Sequence, residues 1–209
     1  MIIDRIISVF PDHQVLAEEG GASSSKASRY KWVIDPLDGP TNYTHRFPAF
    51  CVSIGLEIDG VVSVGVVFDP MRKELFVAAK GRGATCNGES ISVSQTPTLN
   101  AALLVTGFSY DVRQDKTDNN FNFFRGFVKQ AQGVRRTGSA AIDLCYVAMG
   151  RFDGFWEMKL SPWDVAAGSL MVTEAGGLIS DFNGTPFSIY GGQLVASNGR
   201  IHKEMLALF

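Results

Sequence analysis

Residues 32–42 read WVIDPLDGPTN, an apolar stretch that runs into two acidic residues, a glycine and a proline. Aromatic and β-branched residues suit a pleated sheet, so a strand is expected over residues 31–35. Asp35 and Asp38 repel each other at this spacing unless a cation lies between them, and oxygen ligands without His or Cys favour Mg²⁺. An Asp N-cap with an Asx turn explains the same residues without a metal, so this stretch alone leaves both interpretations open.

Two further acidic stretches bear on that choice. Glu18 and Glu19 follow an apolar run and indicate either a strand end or a solvated pair. Residues 161–168 read SPWDVAAG, in which Ser161 and Asp164 suit a capping box at a helix start that needs no metal. The small residues after Asp164 also let that helix approach another backbone closely, as a tight ligand cleft requires.

The first half of the chain predicts a largely antiparallel sheet. An amphipathic helix is expected over residues 2–10, ending at Pro11. Asp59-Gly60 predicts a hairpin turn between two apolar strands, and a small, polar loop is expected over residues 20–28. The expected strands are residues 31–35, 51–58, 61–68, 74–79 and, at a sheet edge, 91–93.

The second half alternates helix and strand, which predicts a mixed sheet flanked by helices. A boundary near residues 96–97 divides one domain, residues 1–209, into an N-terminal lobe (1–96) and a C-terminal lobe (97–209). The expected helices are residues 119–132, 139–149, 162–175 and one beginning near 201, and the expected strands are 103–106, 152–158, 178–180 and 194–196.

The composition excludes several classes of partner. The chain has 209 residues, 45% hydrophobic and 19% charged, which is ordinary for a globular protein with a sizeable core. With 19 basic and 21 acidic residues the net charge is −2, so neither nucleic acid nor a membrane is expected as a partner. Three cysteines without CxxC spacing favour reduced thiols and a cytoplasmic location, and the N-terminus predicts neither a signal peptide nor a membrane span.

The acidic stretches in this order resemble the inositol monophosphatase family of Mg²⁺-dependent, lithium-sensitive phosphomonoesterases. The resemblance rests on AEE at 17–19, WVIDPLDG with TNYTH at 32–45, RRTGSAAIDLC at 135–145 and WEMKLSPWDVAAG at 156–168, and it runs from about Ile6 to the C-terminus. It implies an α/β (α+β) layered sandwich, the sugar-phosphatase fold, with an antiparallel N-terminal sheet, a mixed C-terminal sheet and flanking helices. It also implies several Mg²⁺ ions between the lobes, and a homodimer.

Matched residue by residue, the resemblance implies a metal site, a catalytic set and a substrate site. Glu18 would also help to deprotonate the attacking water. The implied metal ligands are the carboxylates of Glu18, Asp35, Asp38 and Asp164 and the carbonyl of Leu37. The implied catalytic residues are Glu18, Asp38 and Thr41. The implied substrate contacts are Gly39, Pro40, Gly138, Ser139, Ala140, Glu157 and Asp164.

Some of these positions have other interpretations. Glu157, matched to a contact with substrate hydroxyls, is otherwise an outward-facing strand residue. Arg136 and Lys159 suit solvated faces better than a phosphate contact.

Two features depart from the family pattern. Pro40 stands where the family usually has a threonine whose hydroxyl helps to activate water, and losing one such donor costs a factor of about 10²–10³ in rate. Proline is well tolerated in the first turn of a helix, so fold and metal binding are expected to survive. The hydroxyl of Thr41 points about 100° away around a helix and is expected to replace the missing one only in part.

Met1 falls within the family's second helix, so the first helical segment is expected to be missing.

The resulting expectation is Mg²⁺-dependent hydrolysis of a small phosphate monoester, with myo-inositol monophosphate as the leading substrate. Histidinol phosphate and other sugar phosphates remain alternatives within the family, although Glu157 favours a polyol. A catalytically impaired, metal-binding homologue is the main rival, on the evidence of Pro40 and the short N-terminus. A purely structural α/β protein would require three acidic clusters to be coincidences of helix capping.

Overall fold

The strands of the first half form one eight-stranded sheet in the computed structural model, which describes residues 1–23, 28–114 and 120–209. In chain order the strands are β1 (Gln14–Ala17), β2 (Gly21–Ser23), β3 (Tyr30–Asp38), β4 (Cys51–Ile58), β5 (Val61–Asp69), β6 (Glu74–Ala79), β7 (Ala84–Cys86) and β8 (Glu89–Ser90). In space the order is β2-β1-β3-β4-β5-β6-β7-β8. Every pair is antiparallel except β1 with β3, which run parallel.

The second sheet has five strands and mixes both directions. Its strands are β9 (Leu103–Thr106), β10 (Gly133–Arg135), β11 (Gly154–Met158), β12 (Leu178–Ser180) and β13 (Gln193–Ser197), in the order β10-β9-β11-β13-β12. The β9 strand is parallel to β10 and β11, whereas β13 is antiparallel to β11 and β12. The predicted division into a mostly antiparallel sheet and a mixed sheet is therefore confirmed.

Two helices fill the space between the sheets. These two are α4 (Ala140–Ala148) and α5 (Pro162–Glu174). The other helices of the described residues are α1 (Ile2–Val9), α2 (Pro40–Thr44), α3 (Phe121–Val128) and α6 (His202–Leu206), with short 3₁₀ turns at Leu99–Ala101 and Tyr110–Arg113. All residues of α4 after its first are buried. Gly55 and Gly65 let α5 rest directly on the first sheet, because a Cβ on either would lie 2.9 Å from Ala166 or Ala167 atoms.

The remaining helices cover the outer faces of the two sheets. Ile2, Ile3, Ile6 and Ile7 of α1 pack over Ile34, so the amphipathic pattern of this helix is satisfied against the first sheet. On the far side of the second sheet, Phe127 of α3 stacks on Trp156 with ring centroids 3.9 Å apart, while α6 contributes Met205 to the same core. The five layers thus run α1, first sheet, α4 and α5, second sheet, α3 and α6.

Most predicted elements are present, with corrections at their ends. The predicted edge strand 91–93 is wrong: Ile91 N–H donates to Ala84 O and Val93 N–H to Ala175 O, so the segment bonds to two different elements and pairs with neither as a strand. The β3 strand continues past the expected end at residue 35 and reaches Asp38.

Helices are shorter than expected at their ends. The helix expected over residues 119–132 is observed as Phe121–Val128, and residue 119 lies outside the described residues. The loop expected over residues 20–28 is wrong at Gly21–Ser23, which pair with β1 as strand β2, and residues 24–27 lie outside the described residues. No helix in the described ranges combines the length and the apolar character needed to cross a membrane.

Candidate active site

The first pair of acidic residues is brought together by the parallel strands β1 and β3. Ala17 is paired with Ile34, so Glu18 and Asp35 follow as neighbours at the same end of adjacent strands. Glu18 N–H donates to Ile34 O at 3.3 Å, which continues the ladder by one bond. Asp35 is buried, whereas Glu18 is exposed. The strand end inferred from the sequence at Glu18 is therefore observed.

Asp35 and Asp38 are separated by an irregularity in the pairing of β3 with β4. Asp35 lies opposite Ser53 and Asp38 opposite Cys51, with a register shift between them. Asp35 Oδ1 accepts a hydrogen bond of 2.9 Å from Leu37 N–H, which is the Asx turn expected from the sequence. Asp38 is the last residue of the strand and not the helix cap. That role falls to Gly39.

Gly39 makes the sharp turn from β3 into α2. Its φ of +87° is in the left-handed region, and a Cβ there would lie 2.9 Å from Ala49 O and 3.1 Å from Gly138 O. Pro40 then takes the first position of α2, where its missing N–H costs no helical hydrogen bond. Thr41, the next residue, is exposed to solvent.

Asp38 connects the first sheet to the start of α4. Its Oδ2 accepts hydrogen bonds from Ser139 Oγ at 2.7 Å and from Ala141 N–H at 2.8 Å, and Cys51 Sγ lies 3.7 Å away. Burial raises the pKa of Asp38 in spite of these donors. The loop before α4 is also fixed by Asn42, whose Nδ2 donates to Ala49 O at 2.7 Å and to Thr137 O at 2.8 Å.

Asp164 enters the site from the N-terminal turn of α5. Ser161 and Asp164 form the predicted capping box, in which Ser161 N–H donates to Asp164 Oδ2 at 2.7 Å. The interpretation of Asp164 as part of a helix capping box is thus confirmed. The same carboxylate also faces the cavity described next, so helix capping and a site role coexist in one residue.

A cavity of about 190 Å³ lies where these elements meet. Seven of the twelve residues selected from the sequence line it: Glu18, Asp38, Gly138, Ser139, Ala140, Glu157 and Asp164. Asp35, Leu37, Gly39, Pro40 and Thr41 are not among its lining residues. Asp35 is nevertheless part of the same electrostatic group, because the carboxylates of Asp38, Glu18 and Asp164 all raise its pKa.

The acidic groups of the site oppose one another's ionisation. Burial, followed by repulsion from Asp38, raises the pKa of Asp35 to about 8, and burial with repulsion from Asp38 and Glu18 raises that of Asp164 to about 7. None of the ion pairs found in the described residues involves these four carboxylates. Such an arrangement is stabilised by a bound cation.

The donor set of the site fits a hard divalent cation. The second carboxylate oxygens of Asp35 (Oδ2) and Asp164 (Oδ1) accept no hydrogen bond from any described residue. Oxygen ligands without nitrogen or sulfur suit Mg²⁺. In the part of the chain that the structure describes, however, no three His, Cys, Asp or Glu side chains already converge as they do around a bound metal. Each aspartate keeps one oxygen on a protein donor.

Glu157 lies against the backbone of the loop that follows β9. Its carboxylate fills the position that a Cβ on Gly107 would occupy, so this contact requires glycine at residue 107. Burial, followed by repulsion from Asp164 and Asp38, raises the pKa of Glu157 to about 8, and Arg136 acts in the opposite direction. Glu157 is half-buried and faces the cavity, so it is not the outward-facing strand residue that remained possible from the sequence.

Ten lining residues were not selected from the sequence, and four of them carry titratable side chains. Arg136 is exposed, as expected, but it also lines the cavity, and so does Lys159, whose Nζ lies 2.9 Å from Asp111 Oδ2. Tyr110 forms part of the wall, beside Phe108 and Ser109. Asp143 is buried within α4, where burial holds its pKa well above the usual value and Thr137 Oγ1 donates to it at 2.5 Å. The signal for Asp143 was an acidic residue inside the otherwise apolar run 140–148.

Comparison with known proteins identifies the family of this chain. The model of the family described as "Inositol monophosphatase family" matches residues 1–209. The inositol-1-monophosphatase of Synechocystis is 49% identical over 98% of this chain and 71% of its own length, and the Nus factor SuhB of Pseudomonas aeruginosa is 47% identical over 98% and 77%. The structure of the inositol monophosphatase from Anabaena superposes with a TM-score of 0.96 at 50% identity, covering 99% of this chain and 82% of the other. The chain belongs to the inositol monophosphatase family.

Proposed function

We propose that this chain hydrolyses a small phosphate monoester with Mg²⁺, and that the substrate is a myo-inositol monophosphate. The observation that carries the proposal is that Glu18, Asp38, Asp164 and Glu157 all line one cavity. The carboxylates of Glu18, Asp38 and Asp164, which come from separate parts of the chain, would bind the metal. The carboxylate of Glu157 would bind a substrate hydroxyl. The name of the Synechocystis relative, an inositol-1-monophosphatase, supports the substrate class.

The metal ligands would be the carboxylates of Glu18, Asp35, Asp38 and Asp164 with the carbonyl of Leu37. When bound, Mg²⁺ supplies a water activated for attack and neutralises charge on the phosphate and the leaving oxygen. The exposed carboxylate of Glu18, which lines the cavity, would serve as a proton acceptor there. The hydrogen bonds from Ser139 and Ala141 hold Asp38 in place, so one of its oxygens is positioned by the protein.

The substrate would lie between the loop 138–140 and Glu157. A glycine at 138 leaves space there, because a Cβ would lie 2.9 Å from Asn42 Nδ2 and 2.8 Å from Arg136 Nη1. The carboxylate of Glu157 suits hydrogen bonds from sugar-alcohol hydroxyls, and a charged acceptor makes such bonds strong. The guanidinium of Arg136 offers the cavity a positive charge of protein origin. These features favour a polyol phosphate over a histidinol phosphate.

Pro40 would limit the rate without preventing metal binding. Proline at the start of α2 supplies neither a hydroxyl nor an N–H to the phosphate. The next hydroxyl along the chain, that of Thr41, is on an exposed side chain outside the cavity lining. A rate reduced by a factor of about 10²–10³ is the expected consequence.

A binding role is the second candidate. Pro40 favours it, since a residue that lacks a catalytic hydroxyl leaves the fold intact. The relative from Pseudomonas aeruginosa is named a Nus factor, and that name supports a role other than catalysis. The buried, mutually repelling carboxylates of Asp35 and Asp38 argue against a chain that has lost its metal chemistry, because retaining them without a cation is costly.

Calorimetric titration with Mg²⁺ tests the metal part of the proposal. The wild-type chain is expected to bind Mg²⁺, and Asp35→Asn is expected to weaken binding by about tenfold or more, since one charged ligand is removed. Glu57→Gln, which changes a buried carboxylate far from the site, is the control and should bind as the wild type does. Equal binding by the wild type and Asp35→Asn contradicts the assigned ligands.

Phosphate release from a substrate panel tests the remaining part. Inositol 1-phosphate is expected to be hydrolysed faster than histidinol phosphate, and Glu157→Gln is expected to reduce that preference. The proposal also includes inhibition by lithium, a homodimer and a cytoplasmic location, as the resemblance implies. A preference for histidinol phosphate that survives in Glu157→Gln contradicts the polyol assignment.

A further inference from the structure

A second cavity, of about 540 Å³, lies at the other end of α5 from the acidic residues. It is bounded by the β4–β5 hairpin, the C-terminal half of α5 and the loop 186–190, and it shares no lining residue with the candidate active site. Thr173, in its wall, follows Asp164 by nine residues, or about 14 Å along the helix axis. The two cavities are therefore separate sites connected by one helix.

The walls of the second cavity are largely apolar. They include Val62, Leu170, Ile179, Phe187 and Ile189. Leu170 and Ile189 are buried, and the hydrophobic side chains of Val61 and Tyr190 at the cavity remain 44% and 53% exposed. Cavities of about 300–1,000 Å³ with such walls and a few polar groups are typical of small-molecule sites.

One buried carboxylate in this cavity has an unused acceptor. Glu57 is 2% exposed, and its Oε2 accepts a hydrogen bond of 2.5 Å from the Tyr190 hydroxyl and lies 3.2 Å from Lys31 Nζ. Its Oε1 accepts no hydrogen bond from any residue that the structure describes. Buried polar atoms are nearly always hydrogen-bonded, so this oxygen is available to a donor on a ligand.

The charges around the cavity are balanced. Lys31 neutralises Glu57, and the carboxylate of Glu174 is held by the backbone N–H groups of residues 81–83. The exposed Lys80 ammonium disfavours a cationic ligand. An anionic ligand is disfavoured because the free Oε1 of Glu57 offers it only lone pairs and no proton to share. A neutral ligand suits these surroundings best.

The hydroxyl groups in the cavity wall also favour a ligand that donates hydrogen bonds. Ser169 Oγ donates to Ala166 O at 3.0 Å, and Thr173 Oγ1 donates to Ser169 O at 3.0 Å. With its proton used in this way, each hydroxyl can meet a ligand only as an acceptor. The polar groups of the wall thus add acceptors to the one on Glu57.

We propose that this second cavity binds a small, neutral, largely apolar molecule that carries a hydroxyl, such as a phenol or a hydrophobic alcohol. The hydroxyl donates to Glu57 Oε1, and the apolar body lies against Leu170, Phe187 and Ile189. This site does not depend on the phosphatase proposed above, because its residues take no part in the acidic cavity.

A pair of probes that differ by the hydroxyl alone tests the proposal. 4-Methylphenol and toluene are titrated into the full chain, and binding is followed through the backbone amide NMR signals. The phenol is expected to bind in the millimolar range and to shift the signals of Leu170 and Ile189. Glu57→Gln is expected to weaken the binding of the phenol by about fivefold, the effect of weakening one hydrogen bond. The binding of toluene is expected to be unchanged.

Two further variants separate the cavity from the surrounding surface. Thr173 is exposed on α5, so Thr173→Trp can fill the cavity without disturbing the core, and it is expected to abolish binding of the phenol. Leu178 is 48% exposed and outside the lining, and Leu178→Trp is the matched control that should bind normally.

Several results would overturn the proposal. These are no phenol binding by the wild type up to about 10 mM, the weak limit for so small a ligand; signal shifts centred on the acidic cavity; binding that survives Thr173→Trp; or equal affinities for the phenol and toluene with no effect of Glu57→Gln.

Discussion

Asp38, the last residue of β3, accepts a hydrogen bond of 2.8 Å from the backbone N–H of Ala141 in the first turn of α4. The two residues are 103 positions apart in sequence, and the bond joins the first sheet to the central helical layer. It places a carboxylate proposed as a metal ligand at the positive end of α4, where negative charge is favoured. The structure thereby uses one side chain both to join two layers and to build the acidic cavity.

Gly39 holds the position of Asp38, and its replacement is expected to destabilise the fold. In Gly39→Ala the new Cβ meets Ala49 O at 2.9 Å in a left-handed backbone conformation. The matched control is Gly60→Ala, which has a φ of +78° and open space around the new atom. We expect Gly39→Ala to reduce the free energy of unfolding by at least about 2 kcal/mol more than Gly60→Ala in urea denaturation. Equal losses in the two variants would show that the contacts around Gly39 are not restrictive.

Gly107 is expected to control substrate affinity through Glu157. A methyl group at residue 107 occupies the space of the Glu157 carboxylate and must displace it. In Gly107→Ala the KM for inositol 1-phosphate should rise by about tenfold or more, the effect of losing a charged hydrogen bond, and Glu157→Gln should act in the same direction. Gly126→Ala, at a half-buried helical glycine whose added Cβ has no neighbours within 4 Å, is the control. An unchanged KM in Gly107→Ala would remove Glu157 from the substrate site.

His202 is expected to make stability depend on pH. The ring is buried between Ser180 Oγ and Ser197 Oγ, each 2.9 Å from one of its nitrogens, and burial lowers its pKa below the usual value of 6.5. Below pH 6.5 the unfolded chain takes up a proton at this residue that the folded chain resists. The contribution is therefore present above pH 6.5 and is lost as pH falls toward the folded-state pKa, at up to about 1.4 kcal/mol per pH unit.

Urea denaturation at pH 7.5 and pH 5.5 measures this effect. The loss of unfolding free energy between the two values should be larger for the wild type than for His202→Gln, which has no titrating group there. Identical losses in both proteins would show that His202 takes up its proton equally well in the folded state.

Much of the fold could be predicted because it depends on local pattern. The alternation in residues 51–58 appears as β4 with alternate residues buried, and the capping residues at 161–164 begin α5. Ile91–Val93 has the composition of a strand, but its N–H groups bond to two different elements, a choice that tertiary contacts make. The extension of β3 through Pro36 also depends on its partner strand and not on local propensity.

The site was predicted less completely, for a similar reason. Glu18, Asp35 and Asp164 could be predicted because each is an acidic residue near the end of a strand or helix. The hydrogen bonds from Ser139 and Ala141 to Asp38 could not, because they join segments about a hundred residues apart. The packing of Glu157 on Gly107 and the approach of Arg136 to the cavity likewise depend on contacts between distant elements.

The measurement that tests the central claim most directly is phosphate release from inositol 1-phosphate at saturating Mg²⁺, by the wild type and Pro40→Thr side by side. The account predicts a slow wild-type rate that requires Mg²⁺ and rises at least about tenfold in Pro40→Thr, equivalent to about 1.4 kcal/mol of transition-state stabilisation. Asp164→Asn should be inactive in either background. If neither the wild type nor Pro40→Thr released phosphate although both bound Mg²⁺, the phosphatase would be contradicted and the binding role would replace it.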